Sequence, residues 1–341
     1  MNDTAVSLPG QNRWGLLIVT LTAFLALPAL PTALRSYTPI GETTTFVVAA
    51  LAVCAVVGWW NGGSALLAGI WVAIAAWMIA APAADNGPSV TYDQLSRGWM
   101  LLVVAAFGVV SLLAPKQGFF SRAVSAVGIA IVGAFMLAVA VPDGIGNMQQ
   151  TAMTESSRRT ELTIAQFEQV TQTTQWKRAA KRNPGWDSMF AESEADLRKS
   201  PERMSNALPA LLALESLAAL ALGWALFYRL SAVHIGPPLG QLREFRFNDQ
   251  LIWGLAVGLT LFFLPTFVDG KGAGMNLLLF FGMLYLLRGA GVLSWVTRGR
   301  GIAIGLILLT AVAPVIVAAL ALGVGVGDTW MDWRARVSPA T

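Results

Sequence analysis

Long apolar runs alternate with short polar breaks along most of the chain. Residues 14–34, 45–60, 64–83, 98–114 and 123–141 form a first group, and residues 207–230, 250–268, 274–296 and 301–326 a second. A hydrocarbon core of ~30 Å takes about 20 apolar residues per helix. The pattern therefore predicts an all-α, polytopic transmembrane bundle of about nine helices. The second and third runs are separated only by Asn61-Gly62-Gly63, a tight-turn signal. If those two runs are one broken element the count is eight; if they are a helical hairpin it is nine. The first run follows Arg13, as a secretory signal would, but it lacks a clear small-x-small cleavage site and continues past Pro28 and Pro31. It is expected to be a retained helix, kinked at the prolines.

Between the groups the character changes. Residues 142–206 hold nine basic and nine acidic side chains, which excludes them from hydrocarbon. The sequence thus divides into N-terminal helices 1–5 (1–141), a charged helical extramembrane insertion (142–206), and C-terminal helices 6–9 with a short tail (207–341). Within the insertion, 148–182 is expected to be one long helix, broken at Asn183-Pro184-Gly185. A second helix follows, with Trp186, Phe190, Leu197 and Met204 near helical spacing on one face. Ser200-Pro201-Glu202 carries an N-cap and a first-turn proline, the start of the helix that enters the membrane at Ala207.

Composition agrees. The chain is 55% hydrophobic and 12% charged, against about 25% charged residues in soluble domains, and its mean hydropathy is +0.61. The 13 tryptophans suit bilayer interfaces. The net charge of +4 fits basic cytoplasmic loops, so no nucleic-acid partner is expected. Loop charge favours a cytoplasmic N-terminus in a bacterial inner membrane.

The candidate chemistry is sparse. Glu215 and Arg288 lie inside apolar runs, where an ionised group is costly and is a functional pointer by default. With Asn276 they form a candidate intramembrane polar site, against the alternative of a bundle-stabilising ion pair. Asp328, Trp330, Asp332 and Arg334 form an acidic-aromatic-basic cluster at the end of the last run. With Trp186, Phe190, Leu197 and Met204, they are the candidate partner-contact residues. Gly254-xxx-Gly258 and Gly301-xxx-Gly305 have the small-xxx-small spacing of close helix packing. HExxH, GxSxG, P-loop and CxxC patterns are absent, as is any second histidine beside His234. The chain is expected to be neither an enzyme nor a cofactor or metal binder.

Residues 148–336 resemble the YybS-like family of uncharacterised bacterial polytopic membrane proteins. The resemblance rests on an ordered series: Leu208-Pro209-Ala210-Leu211-Leu212 after a charged helical insertion, Pro237-Pro238, Leu242-Arg243-Glu244-Phe245-Arg246-Phe247, and Leu251-Ile252-Trp253-Gly254. Asn276-Leu277, Tyr285-Leu286-Leu287-Arg288-Gly289 and Asp328-Thr329-Trp330-Met331-Asp332-Trp333-Arg334 complete it. The resemblance implies an architecture similar to the substrate-binding S components of energy-coupling-factor transporters. Two functions follow as expectations. One is solute binding or a transport-related role, through a polar pocket in the C-terminal helices. The other is assembly of a protein partner on the insertion. The bilayer is the environment in both.

Overall fold

The computed structural model describes residues 14–26, 39–40, 42–82, 88–183, 185–264, 270–296 and 313–336. The prolines of the first run, Gly301-xxx-Gly305 and Pro184 lie outside the described residues. The described residues are helical and turn structure, with no strand among them. They gather into two compact units, one ending at Pro238 and one beginning at Leu239.

The first unit contains α1 (Trp14–Ala26), α2 (Thr43–Trp60), α3 (Ala65–Ala80), α4 (Val90–Leu113) and α5 (Phe119–Ala140). The insertion follows as α6 (Gly144–Gln172), α7 (Thr174–Arg182) and α8 (Gly185–Arg198), and α9 (Ser200–Leu230) completes the unit. Asn61-Gly62-Gly63 makes α2 and α3 a hairpin. Gly62 has φ +92°, a left-handed conformation that glycine adopts without a Cβ penalty. The Gly63 N–H returns to the Gly58 carbonyl at 2.9 Å, closing the end of α2, and Ser64 caps α3 by accepting from Leu67 N.

Helix α4 starts eight residues before the apolar run it was expected to follow. Its first turns carry Asp93 and Arg97, which an apolar-run criterion rejects. Ser89 caps it, and Arg97 ion-pairs with Asp93 at 2.9 Å and Glu42 at 3.3 Å. Arg97 also donates to the Ile79 and Ala81 carbonyls at the end of α3. The charges are therefore spent inside the bundle.

Small residues set the distance between α2 and α9. A Cβ on Gly223 would stand 2.7 Å from that of Ala50, and one on Gly58 would stand 2.5 Å from the Phe227 ring. Close approach of this kind substitutes for the hydrophobic driving force that lipid removes. Below it, Trp224 packs edge-on against Phe107 and beside Phe119. The fully buried Arg122 lies over the Trp224 ring and donates to the Ile235 and Pro115 carbonyls.

The insertion is not a free arm. Helix α6 lies against α4, α5 and α9 and buries Ala152, Glu155, Thr160, Thr163 and Ile164. The expected long helix breaks earlier than Asn183, at the extended Thr173 between α6 and α7. The expected second helix stops at Lys199, and Pro201 sits in the first turn of α9.

The second unit contains two 3-10 turns (Leu242–Glu244 and Asp249–Leu251), α10 (Ile252–Phe263), α11 (Lys271–Val296), α12 (Pro314–Met331) and a last turn, Trp333–Arg336. Gly254 and Gly258 face Phe281, Leu277 and Leu278 of α11, so that spacing serves packing within the chain. Between α11 and α12 the approach is closer still. A Cβ on Gly289 would meet the Ala321 carbonyl at 1.7 Å, and one on Gly325 would meet the Tyr285 carbonyl at 1.9 Å.

Among the described residues, five helices are long and apolar enough to cross a membrane: Thr43–Trp60, Val90–Leu113, Phe119–Ala140, Pro201–Leu230 and Lys271–Val296. Trp14–Ala26, Ala65–Ala80, Asp249–Phe263 and Val315–Met331 are apolar but shorter. Outward side chains such as Leu66, Trp77, Leu113, Leu137 and Val315 are well exposed, which suits lipid and not water. The chain is an all-α, multi-pass membrane bundle.

Candidate functional site

The residues singled out in the sequence fall in both units. On α9 of the first unit, Glu215 is 9% exposed. Its Oε2 accepts from the Ile40 N–H at 3.1 Å, and its Oε1 has no partner among the described residues. The adjoining Ser216 hydroxyl donates to the Leu212 carbonyl and accepts from Trp99 Nε1 at 3.0 Å.

Arg288 and Asn276 lie on α11 of the second unit, three turns apart, which is about 18 Å along the axis. The Arg288 guanidinium donates through Nε to Asp328 Oδ2 at 2.9 Å. Its Nη1 donates to Asp249 Oδ1 at 2.7 Å, and its Nη2 to the Asp328 carbonyl at 3.2 Å. Its flat face lies over Phe247. Arg334 reaches the same Asp328 oxygen at 2.7 Å and donates to the Arg243 and Phe245 carbonyls. This network, buried at Arg288, Asp328 and Arg334, joins α11 to the 3-10 turns and to the end of α12. It binds Arg288 on every nitrogen, the geometry of a structural node. Asn276 donates to the Gly272 carbonyl of its own helix.

Of the expected partner-contact residues, Asp328 and Arg334 are buried in that network. Asp332 pairs with Arg246 at 2.5 Å, and Trp330 is 67% exposed. Trp186 and Phe190 lie on α8, their side chains outside the described residues. Leu197 is half-buried on the same helix. Met204 is buried on α9, lining a pocket of the first unit.

That pocket belongs to a feature that hydropathy did not single out. A cavity of about 400 Å³ opens between α4, α5, α6 and α9, within the ~300–1,000 Å³ range of small-molecule sites. Its lining is mainly apolar, with Leu95 and Trp99 from α4, Ile131, Ala134 and Phe135 from α5, and Leu212 from α9. The same lining carries a few polar side chains, Ser96 on α4, Gln149 on α6 and Ser205 and Asn206 on α9. Pro209, also in the lining, sits inside α9 and has no N–H to give the Ser205 carbonyl one turn earlier.

A smaller pocket adjoins it, sharing Tyr92, Ala152, Ser205 and Leu208. It adds Pro39, Glu155, Ser156, Arg159 and Met204. Glu155 is 1% exposed and both its oxygens are engaged. Oε1 accepts from Arg158 Nη2 at 2.7 Å and Arg159 Nε at 2.9 Å. Oε2 accepts from Arg158 Nε at 2.9 Å and from Ser89 N at 3.1 Å. Burial pushes the Glu155 carboxyl up, but the Arg158, Arg159 and Ser89 hydrogen bonds outweigh it and hold the pKa below the ordinary glutamate value. Arg159 lies over the Tyr92 ring, and the Tyr92 hydroxyl donates to the Pro39 carbonyl. The first unit therefore places a mainly apolar cavity with a few polar side chains beside a small pocket that holds an ionic cluster.

The sequence profile of a family of predicted membrane proteins, DUF2232, matches residues 97–329. The chain belongs to this family. No curated protein and no solved structure matches it. The matched span includes the groove lining from Trp99 onward, α6, α9, and the Arg288–Asp328 network.

Proposed function

We propose that this membrane protein binds an amphipathic molecule in the groove between α4, α5, α6 and α9, and that its role is solute binding or a transport-related one. The observation that carries the reading is the mainly apolar lining of that groove with a few polar side chains within it. An acyl or other apolar chain fits against Trp99, Ile131, Phe135 and Leu212, while a polar head reaches Gln149, Ser205 and Asn206. Sites of this kind are largely apolar with a few polar groups that fix orientation, and helices broken by proline at such a site free backbone groups to line it. Helices α4, α5 and α9 are among those long enough to span the bilayer, so a ligand could enter sideways from lipid. This moves the expected pocket from the C-terminal helices to the first unit, where Arg288 plays no part.

The test is native mass spectrometry after purification in mild detergent. The unaltered protein should keep an amphiphile of defined mass. Ala134→Phe, which fills the groove, should lower its occupancy about tenfold, while Val132→Phe on the outward face of the same helix should leave it unchanged. Equal occupancy in all three proteins would defeat the reading.

A further inference from the structure

Building on that reading, we propose that the molecule held in the groove is uncharged and carries a hydroxyl head. Among the described residues, no Asp, Glu, Lys, Arg or His lines the cavity. An ionised head drawn into mainly apolar surroundings without a counter-charge is costly, so a charged ligand is held back in water. The ionic cluster of the adjoining small pocket is already engaged from within. Both Glu155 oxygens accept two hydrogen bonds each. Arg159 is held by Glu155 and the Tyr92 ring, with Glu215 also within electrostatic reach, and Arg158 lines neither pocket.

The polar groups of the lining narrow the head further. The Ser96 hydroxyl donates to the Asp93 carbonyl, the Tyr92 hydroxyl to the Pro39 carbonyl, and Trp99 Nε1 to the Ser216 hydroxyl. Asn206 is engaged as well. What remains for a ligand is Gln149, exposed on α6, and Ser205, whose carbonyl Pro209 cannot serve. The Gln149 amide both donates and accepts, whereas the Ser205 carbonyl only accepts. A hydroxyl is the smallest uncharged group that answers both, since it donates once and accepts twice. An ester or ketone head only accepts, and would leave the Ser205 carbonyl without a donor.

The experiment uses the whole chain in detergent, read by native mass spectrometry with added probes that share one oleyl chain. Oleyl alcohol and monoolein, both uncharged and hydroxyl-bearing, should be retained about tenfold over oleyl sulfate and oleyltrimethylammonium. Methyl oleate, which only accepts, should be retained about threefold less than oleyl alcohol. Pro209→Ala restores the N–H that the Ser205 carbonyl lacks, and should bring the alcohol and the ester close to one another. Gln149→Glu, nearly the same shape, should raise retention of oleyltrimethylammonium about fivefold, a gain that a misfolded variant would not show. Either charged probe retained as well as the alcohol by the unaltered protein would overturn the neutral head. Methyl oleate retained as well as the alcohol, or a gap between them that survives in Pro209→Ala, would overturn the hydroxyl. If Ala134→Phe still lowered retention of every probe in such a case, the groove reading would stand alone. If retention were insensitive to Ala134→Phe, both would fall.

Discussion

At the scale of single residues, most buried charges among the described residues have partners within the chain, and the sequence could not supply those partners. Glu215 and Arg288 were both visible as charges within apolar runs. What hydropathy could not supply was their partners, because Asp249 and Asp328 are 39 and 40 residues from Arg288 and the Ile40 N–H is 175 residues from Glu215. Arg288→Met should lower thermal stability in detergent by about 3 kcal/mol, because it strands the buried Asp328 charge; breaking one side of a buried pair costs that much. Glu215→Gln keeps an oxygen for Ile40 and should be nearly neutral, whereas Glu215→Leu leaves that N–H without its acceptor and should cost about 1–3 kcal/mol. Glu155 gives a pH dependence of defined sign. Its folded pKa lies below the ordinary glutamate value, so its contribution is present above about pH 4.3. It is lost as the pH falls through the lower, folded value. Melting measured from pH 7 downward should show a loss below pH 4.3 that is absent in Glu155→Gln, whose own melting should be lower at pH 7 and approach that of the unaltered protein at low pH.

At the scale of elements, apolar runs located the membrane helices well and their ends less well. Asn61-Gly62-Gly63 was legible as a turn because only a glycine-rich pair closes so tightly. The early start of α4 was not, because Asp93 and Arg97 mimic a loop until Glu42 and the end of α3 are seen to receive them. The break at Thr173 carried no glycine or proline to mark it. Two glycine substitutions separate conformation from packing. Gly62→Ala meets no neighbour but is strained at φ +92° and should cost about 1 kcal/mol. Gly289→Ala would drive a methyl into the Ala321 carbonyl and should cost more than ~1–3 kcal/mol unless α11 and α12 separate. Thermal unfolding of the two variants in the same detergent should rank them in that order.

At the scale of the whole molecule, the apolar runs made the all-α membrane bundle legible from sequence alone. The groove was not, because its walls come from four helices and one of them, α6, lies in the insertion, which hydropathy had set apart from the membrane. Helix α6 carries Glu155 and Arg159 down onto α9, and this joins the two. The most direct measurement is photo-crosslinking with a long-chain alcohol bearing a photoactivatable group near the end of its chain, followed by peptide mapping. Binding in the groove predicts adducts concentrated on Trp99, Leu208 and Leu212. Adducts spread over outward side chains such as Trp77, Leu113 and Leu137, with none in the groove, would contradict it.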